Sequence, residues 1–401
     1  MRAAPSKRME DSVLVKKIGV AILGACGWMG KCHSLGYRNA PLLFPENETV
    51  ADIKWIVDAD GDRLKSIAYA YPEARCTTDW RDVLSDPDVD LVDICLPDNL
   101  HHQVAKAAIE AGKHVYCEKP FTATAQEALE LAEMAEARDL ITRVGHNFPK
   151  NPVHEITQDL LANGEIGDLV LFRASMHVDV LADPDTPFMW RCDGELAPTG
   201  VVGDVASHLF SFINMLIGPV RDLVADVSTT TAQRSVVDGF GYGVQVQKPI
   251  RNAVRDVTNS DMVNLMCNFE NGGRGVIDVS RVASGRRLLQ TYEIYGTKGA
   301  IAFNYDEVNR LKVYSSNDDP AHQGFRAIDV GPERRNFSAF LPVANFGLGY
   351  NEFKAIEVCE VIHSVATGKS AWPTFRDGHQ IMQVVEACFR SSETRRWVDV
   401  C

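Results

Sequence analysis

From Ile18 to Asn147 the chain alternates short apolar runs with amphipathic stretches, and this rhythm constrains the fold more than any other feature. The runs "IGVAILG" (Ile18–Gly24), "IKWIVDAD" (Ile53–Asp60), "DLVDICLP" (Asp90–Pro97), "KHVYCEKP" (Lys113–Pro120) and "LITRVGHN" (Leu140–Asn147) have the length and content of strands. Between them, "HQVAKAAIEAG" (His102–Gly112) and "TAQEALELAEMAEARD" (Thr124–Asp139) carry helical periodicity, the first closed by a glycine at a C-cap position. Strands apolar on both faces and separated by helices predict a parallel, doubly wound sheet covered on both sides. After "NFPKNPVH" (Asn147–His154) the pattern changes to longer alternating strands. "MVNLMCNFENGGRGVIDVSRVA" (Met262–Ala283) turns at Asn271-Gly272-Gly273, and "YEIYGTKGAIAFNYD" (Tyr292–Asp306) repeats the strand–turn–strand reading. The second half is therefore expected to be α+β with a mostly antiparallel open sheet. At 401 residues two domains are expected. The boundaries predicted are an arm over 1–17, a nucleotide-binding domain over 18–148 and a larger α+β domain over 149–401.

Composition narrows the function classes. Apolar residues at 45% and charged residues at 24% suit a globular chain, and a net charge of −13 disfavours nucleic acid or an anionic membrane as partner. The ten cysteines are scattered, with no CxxC pair and no zinc spacing, so they read as reduced thiols and no metal is expected. No 18-residue apolar run is present, and the basic opening "MRAAPSKRMEDSVLVKK" lacks an apolar core of secretory-signal length. A cytoplasmic protein is expected.

The glycine-rich turn "LGACGWMG" follows the first strand and precedes a helix, which predicts a Rossmann arrangement. Gly24, Gly27 and Gly30 supply backbone without Cβ, so the turn and the helix N-terminus can approach a pyrophosphate. The spacing is GxxGxxG, with Ala25 or Cys26 where a glycine is commoner; Ala25, Trp28 and Met29 complete the expected contact stretch. Asp58 ends the second strand, where a carboxylate can accept from both ribose hydroxyls, and Asp60 and Asp62 follow. That cluster predicts NAD over NADP, with Arg63 as a complicating neighbour. "LPDNLHH" then leaves a polar loop beside the cofactor, making Leu96, Pro97, Asn99 and His101 candidate contacts, with His102 a weaker one.

The run "HVYCEKPFT" (His114–Thr122) places Glu118, Lys119 and Pro120 at a strand's carboxyl end, where doubly wound sheets bind ligands. Lys119 is expected to project toward nicotinamide and substrate, and Glu118 to hold backbone or cofactor groups. Together with "DICLPDNLHH", "GKHVYCEKP", "VGHNF", Trp190-Arg191, "GDVASH" (Gly203–His208), "YGTKGAI", "FRDGHQ" and "SSETRRWV", these motifs make nearly the whole chain after residue 17 resemble the Gfo/Idh/MocA family of glucose–fructose oxidoreductase and inositol dehydrogenase. Within the family, the look is nearest to sugar or pyranoside 3-dehydrogenases of the levoglucosan type.

The resemblance implies a catalytic lysine, Lys119, completed by a D-x-x-x-H pair, Asp204 and His208. On a helix, a four-residue separation puts both on one face. The implied reaction is NAD-dependent, reversible oxidation of a secondary hydroxyl of a sugar, glycoside, anhydrosugar or inositol. The base is either Lys119, or His208 oriented by Asp204 with Lys119 holding the hydroxyl; the resemblance is consistent with a relay shared among the three. A lysine near its ordinary pKa is a poor base at neutral pH, so the cleft must be partly desolvated and closed by the second domain. Lys119, Trp190, Arg191, Asp204 and His208 are the substrate-binding expectations, with His177 and Asp179 weaker. Two departures from the family pattern are Pro149, where an arginine is common, and Ser211, where an aspartate is common. Two other readings are open: an NAD-using glycoside hydrolase with transient oxidation, and a non-catalytic NAD sensor. By resemblance, a homodimer or homotetramer is expected.

Overall fold

The structure, a computed structural model, describes residues 15–237 and 249–400; residues 1–14 of the expected arm, and Cys401, lie outside the described residues. The first sheet takes β1 (Lys16–Leu23), β2 (Thr49–Val57), β3 (Arg75–Thr77), β4 (Leu91–Ile94), β5 (His114–Glu118) and β6 (Thr142–Gly145). Its strands are parallel in the order β3-β2-β1-β4-β5-β6. Helices α1 (Trp28–Leu43), α2 (Gly61–Ala68), α3 (His101–Glu110) and α4 (Ala125–Glu136) connect them. Strand order reverses between β1 and β4, and the crevice for a ligand opens at that switch point. The strands are apolar because both faces are covered: Val20, Ile22, Leu91, Val92, Ile94 and Val115 are fully buried. Local chemistry agrees at the helix starts, where the Asp60 side chain accepts from the Asp62 and Arg63 amides and Thr124 forms a capping box with Glu127.

The second half begins with α5 (Val153–Ala162), β7 (Leu169–His177), α6 (Ser207–Leu216) and β8 (Val220–Ser228), followed by β9 (Gln233–Val237) and β10 (Pro249–Asp256). It continues through β11 (Met262–Phe269), β12 (Arg274–Ser280), β13 (Leu289–Gly296), β14 (Gly299–Asn304), β15 (Arg310–Ser315) and β16 (Arg326–Asp329). The chain closes with α7 (Arg335–Ser338), α8 (Tyr350–Thr367), α9 (Phe375–Thr394) and β17 (Val398–Asp399). Nine of these strands form one sheet in the order β16-β15-β14-β13-β7-β12-β11-β8-β17, while β9 and β10 pair separately. Pairing is antiparallel throughout the large sheet except between β7 and β12, which run parallel in a register from Leu171↔Arg274 to His177↔Ser280. The hairpins at Asn271–Gly273 and after β13 form as expected, with Gly272 at φ +90.

The large sheet buries one face. Phe172, Ala174, Met176, Tyr292 and Ile294 face α5 and α6, and the Tyr292 hydroxyl is satisfied by His154 Nδ1 at 2.9 Å and Thr157 Oγ1 at 2.8 Å. The last two long helices join the layers: α8 packs on α1, β1 and β2, while α9 packs on α4 and β8. Chain from the second half thus covers the nucleotide-binding sheet, and side chains from both halves meet at its carboxyl edge. Among the described residues, no helix is long and apolar enough to cross a membrane.

Candidate active site

The glycine turn is built for close approach. Gly24 has φ +82, and a Cβ there would collide with the Cys95 carbonyl; a Cβ on Gly30 would collide with the Gly24 carbonyl. Helix α1 begins after Gly27 without a side-chain cap, so its first amides are free for an anion. The Asp58 carboxylate braces the turn, accepting from the Cys26 amide at 3.0 Å and the Asp60 amide at 3.1 Å, while Arg63 Nη2 donates to the Cys26 carbonyl at 2.7 Å. A cradle that any Cβ would fill, an uncapped helix N-terminus and a carboxylate at the second strand's tip fit a dinucleotide with its ribose at Asp58. Ala25 is buried within the turn, and Met29 sits beside it, accepting at Sδ from the Tyr350 hydroxyl. Trp28 is 67% exposed and stacked on Tyr350 with ring centroids 5.0 Å apart.

The loop after β4 contributes Leu96 and Pro97, with Asn99 exposed on its outer side. His101 ties this loop to the next: Nε2 lies 2.9 Å from the Leu96 carbonyl and Nδ1 lies 2.7 Å from the Pro120 carbonyl. It holds two loop backbones from a buried position. His102 points elsewhere, to Glu130 on α4 at 2.7 Å. Glu118 is turned inward, with Oε1 accepting from Lys354 Nζ at 2.6 Å and lying 3.0 Å from His33 Nε2, and Oε2 accepting from the Lys119 amide. Its carboxylate is committed to the interior behind the crevice.

Lys119 reaches across to the second half. Its Nζ lies 2.7 Å from the Asp204 carbonyl oxygen and 3.0 Å from Asp204 Oδ1, and Arg191 Nε donates to Asp204 Oδ2 at 3.1 Å. The two cations hold the buried Asp204 carboxyl well below the usual carboxylate range, against the burial that opposes them. Asp204 sits in a π-turn, Val202–Ala206, which precedes α6. This departs from the expected regular helix: the first turn carries i→i+5 bonding before α6 begins at Ser207. Asp204 bonds Lys119 and Arg191, and among the described residues it makes no hydrogen bond to His208.

His208 is wedged edge-on between Phe148 at 4.9 Å and His146 at 5.9 Å, and its Nδ1 is buried with no partner among the described residues. Burial, then the charge of Lys119, hold it well below its ordinary value, so the ring is neutral at pH 7. His146 is pushed down to about 3 by burial. An aromatic run from Trp28 through Tyr350 and Phe148 to His208 walls the crevice, and its members outside the motifs carry no local sequence signal.

Trp190 has its ring covered by the Arg191 guanidinium at 4.3 Å, so at least one indole face expected to meet sugar is occupied. His177 pairs with Asp278 on the opposite, outer face of the large sheet, away from Lys119; Asp179 follows it in a loop. At the two departures, Pro149 is buried in a short turn whose Lys150 pairs with Glu360, and Ser211 Oγ donates back to the His208 carbonyl at 2.7 Å. Sequence reasoning missed three contributors: Asp98, buried beside Lys119, and His33 and Lys354, both bonded to Glu118. Only the adjacency of Asp98 to Pro97 at a strand exit could have flagged it.

Comparison with known proteins agrees with this geometry. A family model described as "Oxidoreductase family, NAD-binding Rossmann fold" matches residues 18–146, and one described as "GFO/IDH/MocA C-terminal domain" matches residues 154–302. The levoglucosan dehydrogenase of Pseudarthrobacter phenanthrenivorans is 32% identical over 386 residues, spanning 96% of this chain and 99% of that one. A solved levoglucosan dehydrogenase in complex with NADH and levoglucosan superposes with a TM-score of 0.88 at 32% identity, covering 96% of this chain and 100% of that one. An NAD-binding oxidoreductase from Klebsiella pneumoniae gives 0.87 at 33% identity, covering 96% and 99%. With both halves matched in order around an NAD-binding crevice, the chain belongs to the Gfo/Idh/MocA family of oxidoreductases.

Proposed function

We propose that this NAD-dependent oxidoreductase reversibly converts a secondary hydroxyl of a sugar, glycoside, anhydrosugar or inositol to a ketone, with Lys119, Asp204 and His208 handling the proton. The observation that carries the reading is the convergence of Lys119 Nζ, from the tip of β5, with Asp204, from the second half, at 3.0 Å. Bound NAD+ supplies the hydride acceptor, which takes the carbinol hydrogen with its electron pair. The hydroxyl proton is left to the protein.

Two of the three N–H bonds of the Lys119 ammonium point at Asp204 oxygens, leaving one for the alcohol oxygen. That donor stabilises negative charge as it develops on oxygen. Asp204, ionised between two cations, fixes both Lys119 and Arg191 toward substrate. His208 is uncharged with an unpartnered Nδ1, and we infer that it takes the proton in the oxidising direction as negative charge developing on the alcohol oxygen raises its low basicity. In reduction the same groups act in reverse.

The similarity to a levoglucosan dehydrogenase along almost the whole chain supports a pyranose-like or anhydrosugar substrate. We place the enzyme in the cytoplasm, consistent with free thiols at all nine described cysteines. The outer face of the large sheet carries exposed Met266 and Val276, which supports a homodimer or homotetramer through that face.

The test is nicotinamide reduction across a panel of levoglucosan, glucose, methyl glucosides and myo-inositol, with wild type and Lys119→Ala. Wild type should turn over at least one sugar, and the variant should lose ~10²–10⁴-fold in kcat while still binding NADH. A folded wild type that is silent on every member would end this reading.

A further inference from the structure

Asp98 is a buried carboxylate at the carboxyl edge of the first sheet that forms no ion pair within 4 Å among the described residues. It stands on the loop that leaves β4, next to β5 in the sheet and therefore next to the strand that delivers Lys119, with neighbouring strands about 4.8 Å apart. Its residue is 8% exposed. The charged and titratable groups around it are His101 from its own helix, Lys119 from β5, Arg191 from the loop before the π-turn, and Asp204 within that turn.

The nearby side-chain donors are turned mainly to other acceptors. Both His101 ring nitrogens face backbone carbonyls, Lys119 Nζ is held by Asp204, and Arg191 Nε points at Asp204. Among the described residues, no hydrogen bond reaches the Asp98 carboxylate. The Asp98 carboxylate keeps a little contact with solvent, so its acceptors are open to a donor that enters the crevice. Burial, with Asp204 adding to it against the pull of His101, Lys119 and Arg191, pushes Asp98 up to about 6. Asp204 is held far down by its two cations, so the two carboxylates of the site have different tasks.

Resting on the dehydrogenase reading above, we propose that Asp98 touches substrate: it accepts a hydrogen bond from the hydroxyl neighbouring the one being oxidised, so that the site selects vicinal diols. A hydroxyl is the donor of choice because it is neutral and can donate to Asp98 without displacing the Lys119–Asp204 ion pair. The nicotinamide ribose carries the same vicinal-diol chemistry, and the experiment separates the two sources.

Asp98→Asn, close to isosteric, is assayed on the panel sugar that wild type turns over best, alongside deoxy analogues lacking a hydroxyl adjacent to the oxidised carbon. NADH binding is measured by fluorescence, and folding is checked by thermal melt. The expected result is a rise of ~10-fold or more in KM for the sugar, larger than any fall in kcat, with NADH affinity kept. The matching deoxy analogue should be penalised with wild type and hardly at all with the variant. Wild type should also lose kcat/KM as pH drops below about 6, and Asp98→Asn should not show that limb. Unchanged KM with weakened NADH binding would assign Asp98 to the ribose and overturn the proposal. An unchanged KM, deoxy penalty and acid limb would overturn it too. If wild type turns over nothing, the dehydrogenase reading itself fails; an active wild type with an unaffected variant sinks only the role of Asp98.

Discussion

Lys354 Nζ, on a helix from the second half of the chain, lies 2.6 Å from Glu118 Oε1 at the tip of the strand that carries Lys119. Neither is accessible in any useful measure: the Lys354 side chain is wholly buried and that of Glu118 is 6% exposed. The pair extends both ways, through His33 to Asp93 and through Lys354 to Glu357 and the Tyr116 hydroxyl. Glu118 is held well below, and Lys354 well above, their ordinary values by each other's charge against burial. The EKP glutamate thus belongs to a buried ladder that locks the two halves together directly behind Lys119.

Removing one rung should be costly. Lys354→Met leaves Glu118 and Glu357 as buried carboxylates with His33, Tyr116 and the Lys119 amide but no buried cation from α8, a situation that costs about 3–5 kcal/mol in buried pairs. Chemical denaturation should show that loss. Activity should fall with it as Lys119 loses its fixed backbone, and Lys354→Arg should restore part of neither if the cavity cannot admit a guanidinium. A variant as stable as wild type would mean the ladder is not structural.

The ladder also sets acid stability. Glu118 and Asp204 have folded values below their unfolded ones of about 4.3 and 3.9, so their contribution is complete above those values and lost as pH falls through the folded values. Lys354, raised when folded, loses its share only as pH climbs past about 10. Apo-protein melting temperature should therefore drop below about pH 4. Glu118→Gln should flatten that acid drop while lowering the plateau.

At the cofactor turn, Gly24→Ala should abolish NADH binding. The backbone there is left-handed, which costs an L-residue about 1–2 kcal/mol, and the added methyl meets the Cys95 carbonyl of the next strand. Relief of that collision must move the turn that faces the pyrophosphate. Fluorescence titration with NADH checks it, and near-normal affinity would show that the turn tolerates displacement.

Much of this architecture was legible in the sequence because parallel strands write themselves as uninterrupted apolar runs: all five predicted runs between Ile18 and Asn147 contain a strand. The short β3, Arg75–Thr77, escaped because three residues at a sheet edge carry no period. The parallel β7–β12 pair escaped because register across a hundred residues leaves no local trace. Lys119, Asp204 and Arg191 were foreseen and do converge. Their pairing pattern was not, since residue spacing does not say which partners an aspartate on a helix face takes from distant elements, and here Asp204 bonds Lys119 and Arg191. Lys354 was missed for a related reason: a lysine in an apolar helix reads as surface until its two carboxylates are brought from elsewhere in the fold.

Asp98 leaves a signature on stability as well as on turnover. Its folded value, about 6, lies above the unfolded one of about 3.9, so its contribution is most favourable when protonated and is lost as pH rises through 6. At pH 7.5 the charged side chain therefore destabilises the apo fold, by on the order of 1–3 kcal/mol. Asp98→Asn should raise the apo melting temperature at pH 7.5 and have little effect at pH 4.5, where the native carboxyl is protonated. A bound sugar should narrow the difference at pH 7.5, because its hydroxyl supplies the missing donor to wild type alone. Measured melts that show the variant less stable at pH 7.5 would mean the carboxylate already has a partner in the apo protein.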